Sequence, residues 1–287
     1  MPTASQILAL YDKSGYPALE AAVPGMARTG GIVTWPLIPV SMVLGAATLT
    51  IQVASDYVAI GTPNDCLYVP LTPEHAQEVA DVWGMLLPTC AMVKAIHEQA
   101  QIKLAPIRSG DLSPPQPNKG ADLRQIRDHS IAIQSQMTKL GLTKGLTSGT
   151  KKDIVLGNLW KPGKVLIYGW CKGAVPPGPD PQPMIGDPAH DIPPWRIQMY
   201  SNVHGSSYYD YSHGVRLVSP KATLNGLPVD LAALLTGREA AIASWEGPLR
   251  TARYPTPGKP VAAPVAYVPT NPGLATQGLQ EVLRRDL

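Results

Sequence analysis

Residues 32–60 read IVTWPLIPVSMVLGAATLTIQVASDYVAI, and no charged side chain interrupts the chain between Arg28 and Asp56. A membrane-spanning helix needs ~20 predominantly apolar residues. Here Pro36 and Pro39 would break its hydrogen-bond ladder, and Gln52 with several Thr and Ser residues dilutes the apolar run. The β-branched residues Ile32, Val33, Thr34, Val40, Val43, Thr48, Thr50, Ile51 and Val53 suit short strands instead. The stretch therefore reads as several strands divided at Trp35-Pro36, at Pro39 and at Ser55-Asp56.

The period then changes. Thr72-Pro73-Glu74 is a helix start: Thr can cap, Pro suits the first helical position, and Glu favours the positive helix end. That helix is expected to reach Trp83 and stop at Gly84. Pro88-Thr89 opens a second, with Met92, Val93, Ile96 and Ala100 on one face. Lacking flanking basic residues, the pair reads as core-packing helices rather than a DNA reader. Residues 5–22 predict a first helix. Residues 121–140 predict a longer one, with Leu123, Ile126, Ile133, Met137 and Leu140 near one stripe and Gly141 ending it. Lys152–Leu156 and Val165–Trp170 read as strands around a Pro162-Gly163 turn. Trp195–Tyr200 and Gly214–Val218 continue the β pattern, and Leu231–Ser244 is the last helix of the body.

This order predicts an α+β fold with a mixed, mostly antiparallel sheet, inserted helices and long Pro/Gly-rich loops at 105–120 and 173–195. The second loop is expected to cover a cleft, since prolines reduce the entropy lost on ordering. Residues 1–247 are expected to form a single body. Residues 248–287 form a proline-rich C-terminal tail, helical near 277–285, that wraps the body or joins copies in a homo-oligomer.

With 287 residues, 31 prolines, 26 glycines, 44% hydrophobic and 16% charged residues, the composition excludes wholesale disorder and argues against a helical bundle. The chain contains no Phe, so Trp, Tyr and Met must supply the bulky core groups. Net charge is +3, and the basic pair Lys151-Lys152 is followed at once by Asp153. Nucleic acid is therefore not an expected partner. Met1–Gln6 lacks the basic and apolar regions of a secretory signal, which with the absence of a spanning segment predicts a soluble protein, cytoplasmic or of unassigned compartment. Cys66, Cys90 and Cys171 are odd in number and widely spaced, without zinc-finger spacing, and are expected to be reduced.

Reactive groups concentrate in residues 201–214, SNVHGSSYYDYSHG. His204 and His213 flank Asp210, Ser207, Ser212 and three tyrosines, directly before a strand, as in sites built from a loop on a rigid strand end. If residues 208–213 are extended, Tyr209, Tyr211 and His213 face one side, and Asp210 reaches His213 only where the backbone bends. The expected catalytic residues are His204, His213, Asp210, Ser212, Tyr209, Lys152 and Cys171. Two chemistries fit them. His204 and His213, with His129 as a further ligand, could hold a divalent metal such as zinc that activates water. Alternatively, one histidine serves as general base to Ser212, Ser207 or Cys171. Gly149–Asp153 offers a lysine, Lys151 or Lys152, to an anionic group, against the plainer reading of a solvated hairpin shoulder. Asp65-Cys66 weakly suggests a cysteine peptidase. His75 and His97 read as structural, and His190 as part of the cover. No HExxH, GxSxG or other standard catalytic string occurs.

The string Tyr209-Asp210-Tyr211-Ser212-His213-Gly214, with Val203-His204 before it, resembles an uncharacterised group of bacterial proteins. The resemblance extends in patches to Asp56–Gly61, Leu86–Thr89 with Met92-Val93, His129, Lys151-Lys152-Asp153 and Ile167–Trp170. It implies a shared fold and brings no activity with it. In that group a histidine commonly precedes the paired lysines where this chain has Thr150, which weakens a mechanism needing three histidines.

The leading expectation is a hydrolase of an ester or amide bond in a small-molecule or polymer substrate. The alternatives are a structural or assembly protein, for instance of a phage or other particle, and a carbohydrate-binding module using Trp35, Trp170, Trp195 and the tyrosines.

Overall fold

The computed structural model describes residues 2–112, 114–116, 122–141, 144–171, 196–256 and 263–270. The chain opens with α1 (Ala4–Tyr11) and α2 (Gly15–Thr29), followed by β1 (Ile32–Val33), β2 (Leu37–Leu44), β3 (Ala47–Ala54), β4 (Ala59–Thr62) and β5 (Asp65–Tyr68). Helices α3 (Pro73–Val82) and α4 (Cys90–Gln99), strand β6 (Ile102–Lys103) and helix α5 (Leu123–Lys139) come next. Strands β7 (Thr147–Ser148), β8 (Lys152–Ile154), β9 (Ile167–Cys171), β10 (Arg196–Ser201), β11 (His213–Gly214), β12 (Lys221–Leu224) and β13 (Leu227–Asp230) lead to α6 (Leu231–Thr236).

The fold is α+β. Its strands form four small sheets, ordered β1-β4-β5, β10-β9-β8-β11, β13-β12-β3-β2 and β6-β7. Pairing is antiparallel except between β6 and β7 and between β8 and β11. Among the described residues no helix is long and apolar enough to cross a membrane.

The helix starts expected at Thr72 and Thr89 form, and Asp122 supplies a further cap. The side chains of Thr72, Thr89 and Asp122 accept from the backbone N–H groups of His75, Met92 and Gln125, starting α3, α4 and α5. Several details depart from the sequence expectation. The last helix stops at Thr236, with a 3-10 turn over Arg238–Ile242 after it, and β11 covers His213–Gly214 and does not run on to Val218. The first helix is two, because the chain turns at Gly15, with φ +78°, where α2 begins. Pro39 does not divide a strand. It sits inside β2, opposite Gln52, and is tolerated because β2 is an edge strand. Leu140 lies outside the buried stripe of α5 at 53% exposure, while Ile126 and Ile133 are buried.

One large apolar cluster joins α1–α4, the β2–β3 hairpin, β9 and α6, and a smaller one lies between β4, β5 and α5. Tyrosine takes bulky positions that Phe would otherwise fill, and brings hydrogen bonds with it. Tyr254 is buried, donates to the Val155 carbonyl at 2.9 Å and accepts from the Leu166 N–H at 2.8 Å.

Tyr254 also corrects the expected boundary at residue 248. Leu249 and Tyr254 are core residues, and Arg253 pairs with Asp81 at 2.6 Å. Further on, the N–H of Val265 meets the Val82 carbonyl and that of Thr270 the Thr34 carbonyl, each at 2.7 Å. The Tyr267 hydroxyl donates to the Trp35 carbonyl, also at 2.7 Å. Residues 248–256 and 263–270 are thus strapped to their own body. The expected cover at 173–195, including His190, and the helical piece near 277–285 lie outside the described residues.

Candidate functional site

Strand β8 lies between β9 and β11, and its parallel register with β11 sets Lys152 beside His213 and Asp153 beside Gly214. Neighbours in register share a face, and successive residues alternate faces. The pair therefore presents Lys152 and His213 on one side and Asp153 on the other.

On the Asp153 side, a Cβ on Gly214 would stand 2.6 Å from the Lys151 Cβ and 2.8 Å from the Tyr57 Cδ1. Gly214 is thus needed because Lys151 and Tyr57 pack on its bare α-carbon. The Tyr57 hydroxyl donates to Asp153 Oδ2 at 3.1 Å, and the Arg216 guanidinium lies 4.0 Å from the centre of the Tyr57 ring. Arg216 is fully buried, and its Nη1 and Nη2 donate to the carbonyls of Ala54 and Thr147 at 2.9 and 2.8 Å. Burial pushes the Asp153 carboxyl up to about 7, against the Arg216 charge and the Tyr57 hydrogen bond. Asp56 accepts from the Tyr57 N–H at 2.8 Å, the Thr147 hydroxyl at 2.6 Å and the Tyr68 hydroxyl at 2.7 Å.

Lys151 is no solvated shoulder. It is buried, donates to the Tyr211 carbonyl at 2.7 Å and stands 3.4 Å from His129 Nδ1. Burial pulls its amine down to about 7, despite the carboxylates of Asp210 and Asp56. Burial, then the Lys151 charge, holds His129 well below the usual histidine range.

On the other side, the chain does not run extended to His213 but bends at residues 210–213. The His213 N–H donates to the Asp210 carbonyl at 3.0 Å, closing a turn. Both the N–H (2.8 Å) and the hydroxyl of Ser212 donate to Asp210 Oδ1. This bend carries Asp210 to His213. Asp210 Oδ2 accepts from Tyr208 at 3.1 Å and lies 3.4 Å from Lys152 Nζ. The Tyr208 ring stacks on His204 at 4.2 Å and meets His213 edge-on at 5.8 Å, so both histidines touch one phenol. Asp210, Ser212 and His213 are buried, while His204, Tyr208 and Lys152 are half-buried and form the rim. Lys152 Nζ is also 5.0 Å from the Trp170 ring.

Burial brings His213 down to about 4, with the charges of Lys152, His204 and Lys151 acting in the same direction and Asp210 opposing. The imidazole is therefore neutral at neutral pH. Burial alone would raise the Asp210 carboxyl, but His213, Lys152 and the Ser212 hydrogen bonds hold it well below the usual range. Among the described residues neither ring nitrogen of His213 has a hydrogen-bond partner.

The structure thus brings together His204, His213, Asp210, Ser212 and Lys152. Tyr209 departs from the expectation: its ring packs on Tyr16 of α2 at 5.7 Å. Cys171 is buried at the end of β9, within electrostatic reach of Tyr57. His129 faces Lys151 and Tyr211, not the other two histidines, and no three metal-ligating side chains gather among the described residues. All three cysteines are buried and outside any disulfide, and burial pushes Cys66 up to about 12, far from a peptidase thiolate. His75 pairs with Glu20 at 2.7 Å and His97 with the Ser148 hydroxyl at 3.0 Å. Sequence reasoning missed Tyr208 as the shared contact of the two histidines. The available signal was its place just after the Gly205-Ser206-Ser207 stretch, whose turn closes by a 3.0 Å hydrogen bond from the Tyr208 N–H to the Gly205 carbonyl.

Comparison with protein-family models, with curated proteins and with solved structures finds no match in any of the three.

Proposed function

We propose that the protein is a hydrolase of an ester or amide bond, with His213 as general base and Lys152 as the cationic stabiliser of developing negative charge. The supporting observation is the buried, neutral His213 ring without a hydrogen-bond partner among the described residues. Leaving a buried polar group unmet costs ~1–3 kcal/mol, and such costs concentrate at functional sites.

The Ser212 hydroxyl is committed to Asp210, so water serves as nucleophile. Its oxygen attacks the carbonyl carbon while His213 takes its proton, and Asp210 stabilises the imidazolium that forms. Lys152 faces the oxyanion. The proton then passes to the leaving oxygen or nitrogen as the C–O or C–N bond breaks. His204 and Tyr208, at the rim, contact the substrate first. Turnover of p-nitrophenyl acetate and of a peptide panel tests the reading. His213→Gln is expected to lower the rate ~10²–10⁴-fold, and a folded variant with undiminished turnover rejects it.

A second reading, assembly, has one observation in its favour. Val43, Leu44 and Leu227 are 70%, 52% and 71% exposed at the tips of the β2–β3 and β12–β13 hairpins. Asn225 joins the tips by accepting from the Thr48 N–H at 2.8 Å. Concentration-dependent light scattering, compared with that of Leu44→Ser/Leu227→Ser, distinguishes an assembling subunit from a monomer.

A further inference from the structure

A cleft of about 320 Å³ opens between α5 and β5, and none of the residues that line it belongs to the His213 cluster. Its walls carry the rings of Trp35 and Tyr68 and the amide side chains of Asn64 and Gln134. Asp56 lies among the lining residues at 6% exposure, and Lys144 is exposed. Binding pockets combine an apolar lining with a few fixed polar groups, and this cleft does so.

Two of the polar groups, Asp56 and Gln134, are held in place. Asp56 Oδ1 accepts two hydrogen bonds, from the Tyr57 N–H and the Thr147 hydroxyl, whereas Oδ2 accepts one, from Tyr68. A carboxylate has about four lone-pair positions, so Oδ2 retains acceptor capacity. The Gln134 amide is fixed by donating to the Cys66 carbonyl at 2.8 Å. The Asp56 charge is offset by Lys151 and Arg216, both within electrostatic reach. The cleft thus offers acceptors, amides and ring surfaces without a strong net charge.

We infer that this cleft binds a neutral saccharide, with Asp56 and the Asn64 and Gln134 amides bonding its hydroxyls and the Trp35 and Tyr68 rings meeting its C–H surface. A sugar alternates hydroxyl edges with apolar C–H faces, which is the pattern of this lining. An organic cation would use the carboxylate but leave the two amides unmatched, and it would meet Lys144 with like charge.

The test uses the full chain and four probes: cellobiose, lactose, N,N′-diacetylchitobiose and, as the cationic comparator, phenethylamine. Binding is read by saturation-transfer NMR and calorimetry. At least one disaccharide is expected to bind in the millimolar range, uncompeted by phenethylamine. Asp56→Asn and Trp35→Ala are expected to weaken it roughly tenfold or more, a difference readily resolved in dissociation constants. Thr138→Trp, at an exposed position on the α5 wall, fills the cleft without entering the core, and is expected to abolish binding even where Asp56→Asn fails to fold. Binding of no disaccharide, disaccharide binding untouched by Thr138→Trp, or binding of phenethylamine alone would overturn the inference.

Discussion

The two faces of the β8–β11 pair bury similar chemistry in different states. Toward Tyr57, the carboxyl of Asp153 receives a phenol hydrogen bond, and both Nη groups of Arg216 are spent on backbone carbonyls. Toward Tyr208, Asp210 is as well supplied with donors, but the His213 ring beside it has none of its polar atoms engaged among the described residues. Burying a charge is ordinary when its partners are built in. Arg216 also keeps one unpartnered atom, Nε, but is held by its two Nη groups, whereas the His213 imidazole has neither ring nitrogen engaged beside a well-supplied carboxylate, and that separates a site from a strut here.

The largest effect expected from this contrast is the loss of hydrolysis in His213→Gln, ~10²–10⁴-fold, with a thermal midpoint close to that of the parent. A lowered midpoint with unchanged turnover per folded molecule would erase the distinction between the faces. Arg216→Met should do the opposite, costing ~2–6 kcal/mol in urea unfolding by leaving the carbonyls of Ala54 and Thr147 without their donors. A cost under about 1 kcal/mol would make that face no more structural than the other. Lys152→Gln should lower turnover ~10²–10³-fold, as removal of an oxyanion donor does, and a wild-type rate would remove Lys152 from the mechanism.

The fourth expectation concerns pH. His213 titrates at about 4 in the folded protein and near 6.5 when unfolded, so between these values the unfolded chain binds the extra proton. Stability therefore falls as pH drops from 6.5 toward 4, by up to about 3 kcal/mol for this residue. His97, lowered to about 4 by burial, pulls in the same direction, whereas Asp153, raised to about 7, gains stability on acidification. The informative quantity is thus the difference between parent and His213→Gln. The variant should be the less acid-sensitive, and parallel pH curves would show that His213 is not held neutral. The smallest effect is expected for Tyr209→Phe, within about 0.5 kcal/mol in stability and without loss of turnover, because its ring packs on Tyr16.

The helices were legible because their ends are local chemistry. Thr72-Pro73 and Thr89 cap with their own side chains, and no distant residue is needed to read them. Pro39 misled because edge or centre is a property of the sheet. The burial of Lys151 was illegible for a similar reason, since it depends on Gly214 lying across β8. Within the site, the string 204–213 drew the eye through its residue types, and the bend at Asp210 could be named as a condition. Which tyrosine would face the histidines depends on that bend: Tyr208 turns toward them and Tyr209 toward α2.

The strap formed by residues 248–256 and 263–270 bears on how the protein is made. Tyr254 clamps the Val155–Leu166 pair, and Thr270 pairs with Thr34, a partner 236 positions earlier. A ribosome delivers these clamps after nearly everything they hold has already emerged. The nascent chain therefore carries an open seam of apolar surface through most of its synthesis, the interval in which chaperones matter most. A stop codon shortly before Tyr254 would leave that seam open for good.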